Sequence, residues 1–477
     1  LETANVSSVI HEGMKKKNSL KHIRLEYEDE EFIDKISNKL PNIEGIDLGY
    51  VEFIDVRKLA SFKKLKKITG DYDYIEYEYE NEFDDDNFYE YYEQEPDERF
   101  VFYLDQIQNL EEITKLDIWP RNLKKLKNIK KIKNLLLRIN TFKDIEIIKD
   151  KNLLIEELSI NSYHTTHGQH INHTDGPYNL EKLNFIQDSI KELSLKNLEI
   201  IFDYSFKILS NFNNLNAIEI NNCSFHSENK KIIDLNIFSS MKNIREIIFK
   251  NNHGVYEEWE YDNYDDNFFD PNVNEEDYFI LENKKINNLE TLKKLEIDAI
   301  ITTLKNFQNL KIDSLIINKG DIKSLYLDPN SPLTSTLKKI KICPKSAISL
   351  KGLENLEFLE ELIIKDPNKK IDFSPIGFLK HLKELTIENT ENFESFEILS
   401  NLKKLEKIKI KSKNDIIRYI SDFNFKYFEN SKIKKIELDC KEESINFNAI
   451  NKLTNLEVLS LKNFQTFNNF KDIKENK

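Results

Sequence analysis

Four histidines recur at intervals of three residues, and they are the residues of this chain best suited to metal chemistry. Imidazole nitrogens bind zinc, copper and nickel, and this spacing can bring several rings to one side of an extended or helical turn. Known zinc sites usually combine close pairs with longer gaps, so a polar loop without metal is the preferred interpretation. A further alternative is a pH sensor, because clustered histidines can change charge near pH 6. We predict no metal and no other cofactor. The four candidates are His164, His167, His170 and His173.

Two segments combine many carboxylates with aromatic rings and contain no lysine or arginine. Residues 71–98 hold 14 Asp and Glu, and residues 251–283 hold 11. Without those 25 acids the chain has 59 acidic and 70 basic residues, so its body is basic although the net charge is −14. Aromatic rings among carboxylates suit contact with a basic, partly apolar protein surface. The candidate contact residues are Tyr74, Tyr77, Tyr79, Tyr91, Trp259, Tyr261 and Tyr264.

Two other interpretations of these acidic segments stay open. Long surface insertions cost little stability, so both segments are also consistent with solvated loops that bind nothing. They could equally fold over a basic part of the chain's own body, where partner binding would release them.

A third candidate group consists of lysines that flank buried strand positions near the C-terminal end. Residues on either side of a buried strand position point away from the core. The lysines of highest interest are Lys407, Lys409 and Lys411, and glutamates such as Glu384 and Glu388 are interleaved with them. One interpretation is a basic patch for an acidic partner, and the other is a lateral ladder of alternating charges. Nucleic acid is disfavoured because the patch contains acids and lacks aromatic stacking residues.

Catalytic motifs are missing from the sequence. It contains no Gly-rich phosphate loop, no G-x-S-x-G elbow and no H-E-x-x-H motif. We therefore predict that the protein is not an enzyme.

An apolar pattern with a period of about 23 residues organises the chain. Within each copy, apolar residues come every three positions, as in a helix or 3₁₀ turn, and then every two, as in a strand. Three copies in strict register begin at Leu350, Phe373 and Phe396. Because no single copy can bury its apolar edge, the copies must stack. Seventeen strands are predicted, with first apolar residues at 23, 46, 68, 116, 135, 158, 193, 218, 247, 295, 315, 340, 362, 385, 408, 436 and 459.

Segments such as 382–387 (Leu-Lys-Glu-Leu-Thr-Ile) resemble the L-x-x-L-x-L core of leucine-rich repeats. The repeat length of 22–23 residues is similar to the class named after a phosphatase-1 regulatory subunit, also seen in bacterial internalins. The resemblance implies an α/β solenoid with a curved parallel sheet on its concave side, short helices or 3₁₀ turns on its convex side, and a role in protein recognition. The family usually has an asparagine three residues after the second strand leucine, in a buried ladder. This chain has it at Asn140 and Asn252, with Cys223 as a substitute.

The pattern predicts one solenoid of about 17 repeats over residues 1–477, with an N-terminal cap over 1–18. Three insertions, 71–98, 161–178 and 251–283, follow the same end of a strand, so we expect them on one rim.

The expected function is a non-enzymatic scaffold that binds a macromolecule, preferably a protein with a basic surface, through the concave face and this rim. The alternatives are a sensor or structural module of a longer protein with autoinhibitory acidic loops, and a metal-binding protein. The sequence predicts no membrane span and no particular oligomeric state. Three widely separated cysteines favour a reducing, cytoplasmic compartment, and a first residue other than Met leaves room for an upstream export signal.

Overall fold

The computed structural model contains two compact units, Leu1–Ile208 and Leu209–Lys477. Each unit consists of stacked repeats, in which a β-strand is followed by a turn and a short helical segment. The structure describes residues 3–6, 20–25, 36–47, 59–69, 107, 109–139, 141–162, 178–201, 208–226, 238–239, 241–255, 279–281, 289–368, 370–390, 393, 396–412 and 423–468.

The main sheet of the first unit has eight strands among its described residues. Consecutive strands pair in chain order, and every pair is parallel. A ninth short strand, β9, comes after the turn that ends β8, and its Ile200 forms an isolated parallel bridge with Tyr178. The strands are β1 (Thr3–Val6), β2 (His22–Leu25), β3 (Gly45–Asp47), β4 (Lys67–Thr69), β5 (Glu112–Ile118), β6 (Lys131–Ile139), β7 (Leu154–Ser162), β8 (Glu192–Lys196) and β9 (Glu199–Ile201).

The main sheet of the second unit has ten described strands, again paired in parallel in chain order. They are β10 (Ala217–Asn221), β12 (Glu246–Lys250), β15 (Lys294–Ile297), β17 (Ser314–Ile316), β19 (Lys339–Ile342), β20 (Glu361–Lys365), β21 (Glu384–Thr390), β22 (Lys407–Ser412), β23 (Lys435–Asn446) and β24 (Val458–Asn468). Five shorter strands of this unit form parallel pairs outside the main sheet. They are β11 (Ser224–His226), β13 (His253–Val255), β14 (Phe279–Leu281), β16 (Ala299–Ile301) and β18 (Gly320–Ile322).

Strand register follows the apolar pattern. In β21, Leu385 and Ile387 are fully buried, whereas Thr386 between them is only half-buried. Leu385 lies opposite Leu362 on one side and Ile408 on the other, so equivalent apolar residues form continuous rows through the core. A shift of one residue would turn every one of these side chains away from the core.

The period-three part of each repeat forms 3₁₀ turns. Leu353 N–H donates to the carbonyl of Leu350 at 3.1 Å, and Leu356 N–H donates to that of Leu353 at 2.9 Å. The apolar spacing of three therefore coincides with the i→i+3 hydrogen bonds that define a 3₁₀ turn. The described 3₁₀ segments are Phe142–Ile145, Leu180–Ile186, Leu304–Phe307, Leu353–Asn355, Ser374–Phe378, Phe396–Asn401, Phe425–Phe428 and Ile450–Lys452. The described α-helices are α1 (Pro120–Lys125), α2 (Glu146–Asp150) and α3 (Pro332–Thr336).

A row of phenylalanine rings runs through the core beneath the last strands. Phe393 lies 5.0 Å from Phe373 and 4.9 Å from Phe396, measured between ring centroids. Phe423 continues the row, 4.9 Å from Phe396 and 5.0 Å from Phe425. Edge-to-face and tilted arrangements of this kind add to the stabilisation from buried area.

All seventeen predicted strands are present, seven in the first unit and ten in the second, so the predicted parallel-sheet fold is confirmed. Seven of the described strands were not predicted. They are β1, the three-residue strand β9 and the five short strands of the second unit that lie outside its main sheet. Two of the three predicted insertions contain strand residues, since β7 reaches Ser162 and both β13 and β14 fall within 251–283. The predicted insertion 71–98 lies outside the described residues. The predicted cap over 1–18 lies outside the described residues, apart from the β1 backbone.

Candidate functional site

The solvent-facing side of the main sheet is the surface on which side chains are presented most regularly. Successive side chains of a strand point to opposite faces, so those that flank the buried strand residues lie on this side. In β22 these are Lys407 and Lys409, which flank the fully buried Ile408. We call this surface the open face. In the second unit it spans ten strands.

Most charged side chains on and beside the open face are paired with an opposite charge from the neighbouring repeat. Lys383 Nζ lies 2.8 Å from Glu360 Oε2, and this hydrogen bond lowers the pKa of the Glu360 carboxyl. Because these groups are still partly exposed to solvent, each such pair contributes little stability by itself. The same arrangement recurs in Lys67–Glu112 at 2.9 Å, Lys294–Glu246 at 2.5 Å, Lys339–Glu361 at 2.8 Å and Lys434–Glu406 at 2.9 Å.

The three predicted lysines lie on the open face at β22. Lys407 Nζ is 3.2 Å from Glu384 Oε2, and Lys409 Nζ is 2.9 Å from Glu388 Oε1, so both belong to the alternating pattern. Lys411 is exposed and forms no ion pair within the part of the chain that the structure describes. The lateral ladder anticipated as one of two interpretations is therefore present at two of the three lysines.

One lysine pair departs from this alternation. Lys341 of β19 and Lys365 of β20 lie on adjacent strands, with Lys365 two residues beyond the register partner of Lys341. Lys341 donates a hydrogen bond to the neutral Asn318 Oδ1. Burial, followed by repulsion from Lys365, lowers the pKa of the Lys341 ammonium. Lys365 Nζ lies 3.4 Å from Glu388 Oε2, the carboxylate that also pairs with Lys409. One carboxylate thus serves two lysines while Lys341 has none.

A second ladder, missed by the sequence analysis, follows the strand ends. Asn251, Asn389 and Asn463 adopt the left-handed conformation, with φ of 54°, 58° and 66°, two residues after the second apolar residue of the strand core. Asparagine and aspartate tolerate this conformation better than other residues with side chains. Asn389 Nδ2 donates to Asp366 Oδ1 at 2.9 Å, which joins adjacent turns. The sequence signal for these turns is an Asn or Asp that recurs two residues after the second apolar residue of the strand core. The family's usual buried asparagine comes one residue later.

Buried polar groups complete the strand ends in part of the second unit. Asn252 Oδ1 accepts from the Cys223 N–H at 2.8 Å, and its Nδ2 donates to the Ile220 carbonyl at 2.9 Å. This is the buried asparagine contact that the family resemblance implied. Asp298 has the same role, since its two oxygens accept from the N–H groups of Asn251 at 2.9 Å and Lys319 at 3.0 Å. Burial outweighs these bonds and raises the pKa of Asp298.

Cys223 and Cys343 do not have reactive surroundings. Both are buried, and neither belongs to a disulfide. Burial raises the pKa of the Cys343 thiol to about 12, so the thiol stays protonated at neutral pH. Within the described ranges, no group of three or more His, Cys, Asp or Glu is placed to hold a metal ion.

The remaining candidate residues lie outside the described residues, and their roles stay predictions. This holds for the aromatic candidates Tyr74, Tyr77, Tyr79, Tyr91, Trp259, Tyr261 and Tyr264, and for the histidines His164, His167, His170 and His173. None of the described helices is both long and apolar enough to cross a membrane.

The repeats themselves define the class of fold. Parallel strands, tight Asn turns and 3₁₀ segments with i→i+3 leucine spacing give each unit the fold of leucine-rich repeats. No protein-family model matches the sequence, and no curated protein matches it. Membership of the particular 22–23-residue class stays a prediction.

Solved structures of low sequence identity are similar to the chain. One is a leucine-rich-repeat protein of Leptospira interrogans, with 15% identity and a TM-score of 0.43, covering 91% of this chain and 100% of that one. Another is an internalin of Listeria monocytogenes, with 14% identity and a TM-score of 0.43, covering 76% of this chain and 89% of that one. A third is TLR13 in complex with a single-stranded RNA, with 14% identity and a TM-score of 0.40, covering 94% of this chain and 68% of that one.

Proposed function

We propose that this protein is a non-enzymatic scaffold that binds a protein partner through the open face of its main sheet. The observation that carries the proposal is the regularity of that face in the second unit. Ten strands about 4.8 Å apart present their side chains over roughly 40 Å, a length suited to an extended macromolecular contact. Their positions are fixed by fully buried neighbours such as Leu385, so the surface is preorganised for binding.

The proposal is tested by comparing two variants in which arginine replaces apolar or small residues. Ile363→Arg combined with Thr386→Arg places two long side chains side by side on the open face, because these residues are paired in register. Phe378→Arg changes a residue that is 66% exposed within a 3₁₀ segment. A partner identified by cross-linking in extracts of the source organism should lose binding to the double variant and keep it with Phe378→Arg. Equal binding to both proteins would reject the open face.

The two acidic segments are proposed as a second part of the recognition surface, for a partner with a basic surface. Their support is compositional, since residues 71–98 and 251–283 together hold 25 acids without any lysine or arginine. Exposed charges are screened beyond about 8 Å at physiological salt, so binding should weaken as salt rises, mainly through slower association. Deletion of residues 76–95 and 256–277 should leave the repeats folded and remove the salt dependence. A deletion protein with unchanged affinity and salt response would reject this part of the proposal.

A further inference from the structure

Lys341 interrupts the charge pattern of the open face in the second unit. The other half-buried lysines of β19–β22 have a carboxylate on the adjacent strand, as Lys339 has Glu361 and Lys409 has Glu388. Lys341 instead donates to Asn318, whose own Nδ2 donates to Glu296 at 2.5 Å. Glu296 is therefore already engaged and lies one strand further away. The cation of Lys341 has a neutral partner and a cationic neighbour, Lys365.

This arrangement is unfavourable for the isolated protein. Both lysines are only partly exposed, and each lies in a region of lowered dielectric where repulsion between like charges is stronger than in water. The repulsion and the burial both act to lower the pKa of the Lys341 ammonium. An added carboxylate between the two ammonium groups would remove the repulsion and complete the alternation.

The surroundings of Lys341 indicate the kind of anion. Ile316 and Ile363 are its register partners on the two adjacent strands, so two half-buried apolar residues flank Lys341 on the open face. Across β15–β22 the described residues of the open face include no aromatic side chain on which a nucleic-acid base could stack. A carboxylate beside an apolar residue fits this surface better than a run of phosphates.

We propose that Lys341 and Lys365 form a seat for a side-chain carboxylate of an acidic polypeptide segment lying across β17–β20. Ile316 and Ile363 contact the apolar residues that neighbour this carboxylate. The inference rests on the proposed function, since it names the partner chemistry of the same open face. It is separate from the acidic segments, whose expected partner is basic.

The experiment measures binding of a fluorescein-labelled hexapeptide of alternating glutamate and leucine by fluorescence anisotropy, using the full chain. Lys341→Met should weaken binding about tenfold, since a hydrogen bond to a charged group is lost. Lys339→Met is the matched control, because Lys339 lies on the same strand and face but already has Glu361. It should change the affinity by less than about twofold. A hexapeptide of alternating glutamine and leucine should not bind.

The melting temperatures of the same variants exclude a general folding defect. Lys341→Met removes a half-buried cation and its repulsion with Lys365, so its melting temperature should rise. Lys339→Met removes a favourable pair, so its melting temperature should fall slightly. Loss of binding together with a raised melting temperature identifies Lys341 as a residue kept for binding.

Several results would overturn the seat. They are the absence of saturable peptide binding at millimolar concentration, an equal loss in the two lysine variants, and a lowered melting temperature for Lys341→Met. Displacement of the peptide by inorganic phosphate or a single-stranded RNA at equal concentration would assign the seat to phosphate groups and reject the polypeptide. The scaffold proposal fails on a different result, namely unchanged partner binding by the arginine double variant at Ile363 and Thr386.

Discussion

Two parts of the second unit complete their strand ends in different ways. In residues 209–322, the buried positions after the strands hold Cys223, Asn252 and Asp298, and Asn252 connects two repeats through two hydrogen bonds. In residues 350–412, the corresponding buried positions hold Pro367 and the hydroxyl side chains Thr390 and Ser412. Both parts keep a left-handed Asn in the turn, as in Asn251 and Asn389. The two parts thus share the geometry of the turn. They differ in the buried side chains that follow the strands.

The two parts also differ in repeat length. In the second part, equivalent strand residues are 23 apart, as from Leu362 to Leu385, so equivalent turns stack directly on one another. In the first part, the spacing from Leu295 to Leu315 is 20 residues, and that from Ile247 to Leu295 is 48. There, buried polar side chains accept backbone hydrogen bonds at the strand ends, as Asp298 does from Asn251 and Lys319.

The largest effect is expected for a core residue of the regular part. Leu385→Ala should lower the free energy of unfolding by about 2–5 kcal/mol, because Leu385 is fully buried and truncation leaves a cavity. Urea unfolding monitored by circular dichroism measures this loss. Ile348→Ala is the control, since Ile348 is 72% exposed and should change stability by less than about 0.5 kcal/mol. A loss below that value for Leu385→Ala would contradict the burial.

The next effect contrasts the two kinds of strand end directly. Asn252→Ala should cost about 2–3 kcal/mol, because it leaves the Cys223 N–H and the Ile220 carbonyl buried without partners. Ser412→Ala should cost less than about 1 kcal/mol, since the Ser412 hydroxyl has no hydrogen bond among the described residues. Thermal and urea unfolding of both variants provide the comparison. Equal losses would show that the two parts do not differ in this way.

A pH series should give opposite signs for carboxyl groups of the two parts. Burial raises the pKa of Asp298, so the folded state binds this proton more tightly than the unfolded state. Its contribution to stability therefore falls as pH rises from the ordinary Asp pKa through the raised one. Asp298→Asn imitates the protonated side chain, so the stability of the wild type relative to this variant should decrease with pH. A difference that is flat or increases with pH would contradict the raised pKa.

The smallest effect concerns the exposed ladder of the regular part. The Lys383 hydrogen bond lowers the pKa of Glu360, so its contribution is present above the ordinary Glu pKa and is lost as pH falls through the lowered one. Glu360→Gln should cost about 0.2–1 kcal/mol at neutral pH and low salt, as expected for an exposed pair. The cost should vanish in acid and shrink in high salt. A cost that persists in 1 M salt, where the screening length is about 3 Å, would indicate a packing role.

The strands could be predicted from the sequence because their determinant is local and repeated. Alternation around residues such as Leu385 and Ile387 marks a strand in every copy, and a common spacing sets the register. The five short strands outside the main sheet could not be predicted in this way. Two of them, β11 and β13, follow turns in which a left-handed Asn, Asn222 or Asn251, redirects the chain after the strand.

The candidate site was less accessible to sequence reasoning. The lysines of β22 were correctly assigned to the open face, but their partners depend on which side chains neighbouring repeats place beside them. In the sequence, Lys341 directly follows a strand isoleucine, Ile340, just as Lys409 follows Ile408. Its difference arises because Ile363, and not an acid, lies opposite it on the next strand. Which residue lies opposite a given lysine depends on how neighbouring repeats pair. The pattern within a single repeat does not show it.

The phenylalanine row has a consequence for how the C-terminal repeats open. Repeat proteins are often treated as nearest-neighbour systems in which one terminal repeat can open independently. Because Phe393 contacts Phe373 and Phe396, and Phe396 also contacts Phe423, opening one repeat exposes rings that belong to the next. Backbone amides of β21–β23 should therefore exchange with deuterium as one cooperative block, with similar opening free energies.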